Sequence, residues 1–450
     1  MMAKVSSQRI ADLRRLTEKF NLHVPPSYFV SSVSREPYED ALDPILGLRG
    51  DDPVNLYIGI PLCEEHCSFC MYFHGLADAD GARAEECLRG LEGFLRRIAG
   101  RGQRPVVSGS YIGGGTPTVL SASQISRLLG AVRSAFAFEP SAQRTFEMSP
   151  GSATPQKIEA IARGGYNRVS FGVQSFDRAM VERVGRTWAS PPEVRELIGQ
   201  CRGAGLDEIN VDLMTGLDGE QNRTLADAVE ALVDEAELTI SVYRYRPGRS
   251  RELAARHGMN DYVSRCAERV AAAADIARRH GWRTSGRLDG EHVRLTPDRA
   301  MRWPERNLYE TRYRPDLRNS LIGVGVAARS FLRNEQMVHC AHRASAGYEL
   351  AGRLVEVERC DQASRVSAAL VNEFFRDRQA DAALVEAQCG LAPEDVFADE
   401  LAYLIGEGVL CGTGRVYEIE PSRHAEWAYL DKLLYPPDWL RHRGETARLR

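Results

Sequence analysis

Three cysteines, Cys63, Cys67 and Cys70, follow the apolar run Tyr57-Ile-Gly-Ile-Pro-Leu62 with the spacing C-x3-C-x2-C, and no fourth cysteine completes the set nearby. Three thiolates can hold three irons of a cubane 4Fe–4S cluster, whose usual protein shell is four cysteines. The remaining iron then keeps an open position, and an open position on a metal site marks chemistry on a bound ligand. The alternative occupant is zinc, with His66 or His74 as fourth ligand, because soft thiolates suit both. Structural zinc carries paired Cys/His spacings, and no second C-x2-C or H-x3-H follows here.

Other polar residues stand out for their place. Gly113-Gly114-Gly115-Thr116 follows an apolar run, and glycines there would let the backbone approach a ligand and offer it N–H groups. A tight strand-to-helix turn accounts for the same glycines. Glu147 is the one acid in 144–150. Gln174 offers donors and an acceptor, and Arg186 can grip a carboxylate through two nitrogens. Asp212 could accept from two ribose hydroxyls, or be a buried acid bonded to backbone.

The elements that must carry these residues alternate from about residue 54 to 280. Apolar strands are predicted at Leu56–Ile60, Val106–Ile112, Thr145–Met148, Val169–Val173, Ile209–Met214 and Leu238–Tyr243. Helices between them have start signals: a capping box at Ser121-Ala-Ser-Gln124, and cap residues before proline at Thr154-Pro155 and Ser190-Pro191. Six strand–helix units predict an α/β fold, a partial (β/α)6 barrel of the TIM type with a parallel sheet. Active sites of such barrels lie at the C-terminal strand ends, where every residue named above falls.

Composition bounds the rest. The 450 residues suggest two or three domains. A 43% hydrophobic and 27% charged content is ordinary for a globular protein, and a net charge of −4 gives no sign of a nucleic-acid partner. No apolar run reaches the ~20 residues of a membrane span, and the polar N-terminus lacks a signal-peptide core. No membrane partner is expected, and the cytoplasm is the expected compartment. The other seven cysteines are scattered singly and read as small buried hydrophobes. The basic end, 441–450, reads as a solvated terminus.

In this order the motifs resemble the radical S-adenosylmethionine (SAM) superfamily, in the branch of the oxygen-independent coproporphyrinogen III oxidase, a haem chaperone and the class C radical SAM methylases. Tyr-Ile-Gly-Gly-Gly-Thr-Pro-Thr at 111–118, Gly-Val-Gln-Ser-Phe at 172–176, Val-Gly-Arg at 184–186 and Asn-Val-Asp-Leu-Met-x-Gly-Leu at 210–217 carry the likeness, which spans roughly residues 54 to 335. The resemblance implies a 4Fe–4S cluster on Cys63, Cys67 and Cys70 whose open iron chelates SAM, with cleavage to a 5′-deoxyadenosyl radical. In the oxidase two SAM molecules lie side by side. Carried over, its contacts place Tyr57, Gly114 and Glu147 on the cluster-bound SAM, and Phe69, Gly115, Thr116, Gln174, Arg186 and Asp212 on the second. An external electron donor such as flavodoxin or ferredoxin is implied as well.

Departures distinguish this chain within that branch. A further cysteine of the oxidase is replaced by Tyr72, its Gly-Arg-x-His by Gly185-Arg186-Thr187-Trp188, and the histidine of a haem-related segment falls at Arg306, with Glu310 nearby. Arg246 and Arg329 stand where the oxidase has small or apolar residues. Buried, they would need partners, either an anionic substrate or acids such as Glu147 and Glu310. The sequence organisation reads as an N-terminal extension and polar cover over 1–50, the barrel over 51–290, a connecting segment closing the site over 291–365, and a small helical, winged-helix-like lid over 366–450, with Trp427 and Trp439 as packing anchors. The functional expectation is one-carbon transfer to a small molecule, C-methylation or cyclopropane formation in natural-product biosynthesis. The rivals are oxidative decarboxylation, another radical rearrangement, and a haem-trafficking role without catalysis.

Overall fold

The computed structural model describes residues 5–20, 29–47, 54–70, 72, 75–102, 104–206, 208–235, 238–245, 259–286, 292–298, 320–326, 328–332, 336–339, 348–350, 353–412 and 414–436. The six expected strands are present: β1 (Val54–Ile60), β2 (Val106–Gly114), β3 (Ala137–Met148), β4 (Arg168–Gln174), β5 (Glu208–Thr215) and β6 (Leu238–Arg244), each longer than its apolar run by one or two residues except β3, which begins eight residues earlier than expected. They pair in parallel in that order, as crossover helices between them require. Alternate residues, such as Leu56, Ile58 and Ile60 or Ile209, Val211 and Leu213, face the helices and form one core. Residues of the other parity are polar and bond one another. Asn210 donates to Ser170 Oγ at 2.9 Å and accepts from the hydroxyls of Thr239 and Ser241, each at 2.9 Å. These bonds join β4, β5 and β6 strand to strand, whereas the buried Asn55 side-chain amide on β1 makes no hydrogen bond among the described residues.

The helix starts follow the sequence. Gln124 N–H donates to Ser121 Oγ at 3.3 Å while Ser121 N–H donates to Gln124 Oε1 at 2.9 Å. Ser190 and Glu193 form the same reciprocal pair, and Thr154 Oγ1 accepts from Lys157 N–H. Each cap stabilises its helix by about 1 kcal/mol, and each fixes where the chain leaves a strand end.

The sheet runs further than the six units. Among the described residues it has thirteen strands. Beyond β6 lie His292–Pro297 and Trp282–Gly286, both antiparallel to their neighbours. Beyond β1 lie Ser320–Val324, which is parallel to it, then Arg329–Leu332, Gln336–His339, Leu354–Arg359 and Ser32–Pro37. The N-terminal segment is therefore more than a polar cover. Ser32–Pro37 is an edge strand, and Tyr38, Ala41, Leu42 and Ile45 enter the main core, where Tyr38 stacks on Phe94 at 4.5 Å. Ser-Val-Ser-Arg-Glu-Pro has no apolar face, so its strand conformation comes from pairing with Leu354–Arg359, a contact invisible locally.

A second core gathers Val366, Leu370, Phe374, Leu401, Leu404, Trp427 and Leu434, with Leu13 and Phe29 from the N-terminal segment. It is built on helices Gln362–Asp377, Ala382–Cys389 and Pro393–Gly406 and a three-stranded sheet of Gln379–Asp381, Val416–Ile419 and Leu410–Cys411, the winged-helix-like composition expected. Trp427 packs edge-on against Phe374 at 4.7 Å, and Trp439 and the basic end lie outside the described residues. Cys87, Cys201, Cys266 and Cys389 are buried as expected and Cys360 is half-buried. Cys411 is exposed, because it sits on a short edge strand, and Cys340 lies outside the described residues. Among the described residues no helix is long and apolar enough to cross a membrane.

Candidate active site

The cysteine loop leaves the C-terminal end of β1. Its first residues, Leu62–Cys63, pair with Gly75–Leu76, and Cys70 N–H closes a turn onto Cys67 O at 3.1 Å. Burial pushes the Cys63 thiol up to about 11, with the neighbouring thiols adding and the Thr116 hydroxyl, 3.6 Å from Cys63 Sγ, opposing. Cys70 is raised too, first by burial. Such thiols give up their protons to a metal. Among the described residues no three His, Cys, Asp or Glu side chains converge on one point as a single ion requires. His66 is exposed, and His74 lies outside the described residues. Three neighbouring soft thiols on one loop fit the separate corners of an iron–sulfur cluster.

The glycine run ends β2 and crosses this loop. Gly115 N–H donates to Ile60 O at 2.8 Å and Thr116 N–H to Leu62 O at 2.7 Å, while Gly114 N–H bonds Glu147. The expectation that these N–H groups face a ligand is therefore corrected: the loop consumes them. Gly114 has φ 114°, in the region that favours glycine. A Cβ on Gly115 would lie 2.7 Å from the Leu62 carbonyl carbon. The glycines serve close approach of the two loops.

Beside them Glu147, at the end of β3, accepts from the hydroxyl of Tyr111. Tyr57 lies parallel to Tyr111 with ring centroids 6.2 Å apart. Burial raises the Glu147 carboxyl to about 7, against its two hydrogen bonds, and the Asp212 charge adds to the rise. Asp212, on β5, is also raised by burial. It accepts from Asn210 Nδ2 at 2.8 Å and from Ser170 Oγ at 3.1 Å.

Gln174 closes β4 with φ 70°, at a register shift between Gly172 and Gln174. A non-glycine residue in this region costs roughly 1–3 kcal/mol, which the surrounding structure must hold in place. Arg186 reaches the same place from the following loop. Its Nη2 donates to Gly172 O and lies 3.3 Å from Ser149 Oγ, and its Nη1 lies 3.7 Å from Cys67 Sγ. Phe69 packs with Met180, Val184 and Leu217. Trp188 donates to Phe176 O at 2.9 Å beneath the Arg178 guanidinium, and Tyr72 is 64% exposed.

The cysteines, Tyr57, Glu147, Gln174, Arg186 and Asp212 thus share one rim. Arg329 is exposed, so burial does not oblige it to find a partner. Its strand pairs antiparallel with Ser320–Val324. Arg246, Arg306 and Glu310 lie outside the described residues. Tyr111 went unassigned as a site residue, although it lies two positions before Gly113 on the same strand face. Tyr243 and His292 were missed as well, and their rings stack at 4.5 Å on neighbouring strands. No local signal marks His292, because its strand is placed by pairing alone.

Residues 57–232 match the model of the radical SAM superfamily. An oxygen-independent coproporphyrinogen III oxidase of Bradyrhizobium diazoefficiens is 28% identical over 373 residues, covering 79% of this chain and 81% of that protein. The heme chaperone HemW of Haemophilus influenzae is 30% identical over 190 residues, 42% of this chain and 49% of the relative. The chain thus matches about half the length of that chaperone. Among solved structures, coproporphyrinogen III oxidase of Escherichia coli, a radical SAM enzyme, superposes with a TM-score of 0.71 over 89% of this chain and 94% of its own, at 20% identity. Cysteine loop, strand-end motifs and barrel agree with these likenesses: residues 57–232 match the radical SAM superfamily, and the fold is that of the coproporphyrinogen III oxidase structure.

Proposed function

We propose that this chain is a radical SAM enzyme that binds two SAM molecules and transfers a one-carbon unit from the second to an unsaturated carbon of a small molecule. The match of residues 57–232 to the radical SAM superfamily implies a 4Fe–4S cluster and SAM. When bound, the cluster supplies the electron that cleaves SAM to methionine and a carbon radical. The chain's own contribution is placement. Cys63, Cys67 and Cys70 would hold three irons. Glu147, with Tyr57 beside Tyr111, would receive the ammonium of the first SAM, and Gly114 would leave room for it. Arg186 would grip the carboxylate of the second, Asp212 its ribose, and Gln174, Phe69, Gly115 and Thr116 its remaining edges. The observation that carries this reading is the division of the rim into two polar half-sites, Tyr111–Glu147 on β2 and β3 and Gln174–Asp212 on β4 and β5, with Arg186 between the second and Cys67.

Residues 366–450 would act as a lid that excludes solvent from radical chemistry. Flavodoxin or ferredoxin would supply electrons.

With methyl-deuterated SAM, one-carbon transfer puts deuterium in both the product and 5′-deoxyadenosine. Turnover that leaves both unlabelled overturns it. Oxidative decarboxylation is the second reading, favoured by similarity to an oxidase along 81% of that relative, and it gives that unlabelled outcome. Haem binding by reconstituted protein that cleaves no SAM would support trafficking, the activity named for the chaperone.

A further inference from the structure

Between Cys63 and Cys67, the half-buried Glu65 turns away from the other acids of the rim and grips the segment after Val184. Thr187 N–H donates to Glu65 Oε2 at 2.9 Å, and the Thr187 hydroxyl donates to Oε1. Both oxygens of one carboxylate are thus used on a single residue of another loop. Two further contacts run along the same seam. Ser68 N–H donates to Val184 O at 2.9 Å, and Gly185, at φ 76°, lies so close that a Cβ would sit 2.9 Å from His66 O. Arg186 lies between these contacts, its guanidinium 3.7 Å from Cys67 Sγ. The outer side of the seam opens on a surface depression lined by Glu65, Glu182, Arg186, Thr187 and Trp188.

We propose that Glu65 is a positioning residue, a latch that fixes the cysteine loop to the Arg186 segment and thereby joins the cluster site to the second ligand site. The physical reason is leverage. A loop with thiols at positions 63, 67 and 70 has a free middle unless something holds it, and charge-assisted hydrogen bonds are about twice as strong as neutral ones. One carboxylate on a backbone N–H and a hydroxyl fixes both position and angle. Without it, the seam keeps the Ser68–Val184 bond and the contacts of Arg186 itself but loses the anchor between Cys63 and Cys67, and water reaches the thiols from the depression. Second partners that orient metal ligands commonly carry this burden.

The proposal rests on the cluster reading, and the test separates the two. Wild-type holoenzyme, Glu65→Ala, Thr187→Val and Thr187→Ser are reconstituted anaerobically. Cluster absorbance is followed in excess iron chelator, and S-adenosylhomocysteine affinity is measured by equilibrium dialysis. Glu65→Ala should bleach about tenfold faster, equivalent to about 1.4 kcal/mol, and bind S-adenosylhomocysteine more weakly, with an unchanged thermal midpoint. Thr187→Val, which keeps the N–H and loses the hydroxyl, should fall between. Thr187→Ser should restore wild-type behaviour. Glu65→Ala or Thr187→Val bleaching no faster than wild type overturns the latch and leaves the cluster reading intact. A wild-type protein that assembles no cluster overturns both.

Discussion

Two buried acids in different parts of the molecule are held in opposite ways. In the C-terminal core Asp431 receives Lys432 Nζ at 2.7 Å and Tyr435 OH at 3.1 Å, and the ammonium also lies over the Tyr435 ring. Burial raises its carboxyl to about 6 and lowers that of the lysine's ammonium, each opposing the other's shift. At the barrel rim Glu147 is raised to about 7, its hydrogen bonds come from the neutral Tyr111 and Gly114, and a second acid, Asp212, lies in its field. Arg168 helps both rim acids from the barrel floor, where it faces Glu208 at 3.4 Å. A fold that needs a buried charge supplies its counter-charge, as at Asp431. A site keeps negative charge under-compensated where a cation is to arrive, and SAM brings a sulfonium and an ammonium.

The largest effect should come from breaking the satisfied pair. Lys432→Met leaves Asp431 buried without its cation and should cost about 3–5 kcal/mol in denaturant unfolding. Adding Asp431→Leu should recover much of the loss, because no unpaired charge then remains. If the single and double variants lose equally, the pair is not electrostatically coupled.

Removing the rim acid should act the other way. An acid whose pKa folding raises is harmless while protonated and destabilising once ionised. The penalty is absent below the ordinary value of 4.5 and complete above about 7, so wild-type stability should fall as pH rises through that window. Its upper bound is about 3 kcal/mol, at about 1.4 kcal/mol per unit. Glu147→Gln should be the more stable protein at pH 8 by up to that amount and little different at pH 4, while losing SAM affinity in the holoenzyme. Equal pH–stability curves for the two proteins would remove the contrast with Asp431.

Backbone strain gives the smallest effect and the sharpest contrast. Gln174→Gly should gain stability, by about 1 kcal/mol, since glycine relieves the left-handed backbone, and should lose binding of the second ligand. Arg378, the other non-glycine residue with positive φ (62°) among the described residues, caps the helix Gln362–Asp377, which carries none of the proposed ligand contacts. Arg378→Gly should gain similarly with SAM binding unchanged. Thermal midpoints with dialysis on the same samples distinguish strain held for function from strain held by a cap.

The sequence by itself determined the barrel and its rim. Six apolar runs with capped helices between them force parallel strands, and parallel strands put every following loop at one end. Cys63, Gly114, Glu147, Gln174 and Asp212 were legible because each lies at or just past such an end. What only the tertiary structure decided is what each group faces. The N–H groups of Gly114, Gly115 and Thr116 are spent on Glu147, Ile60 and Leu62 because β1 and β2 pair in one register. Glu65 meets Thr187 across 122 positions of chain. Arg329 is exposed, and Ser32–Pro37 becomes a strand only against Leu354–Arg359. Periodicity and capping are local and leave a trace in neighbouring residues. Register, close approach and the counter-charge of a buried acid come from distant segments, and no window of sequence contains both partners.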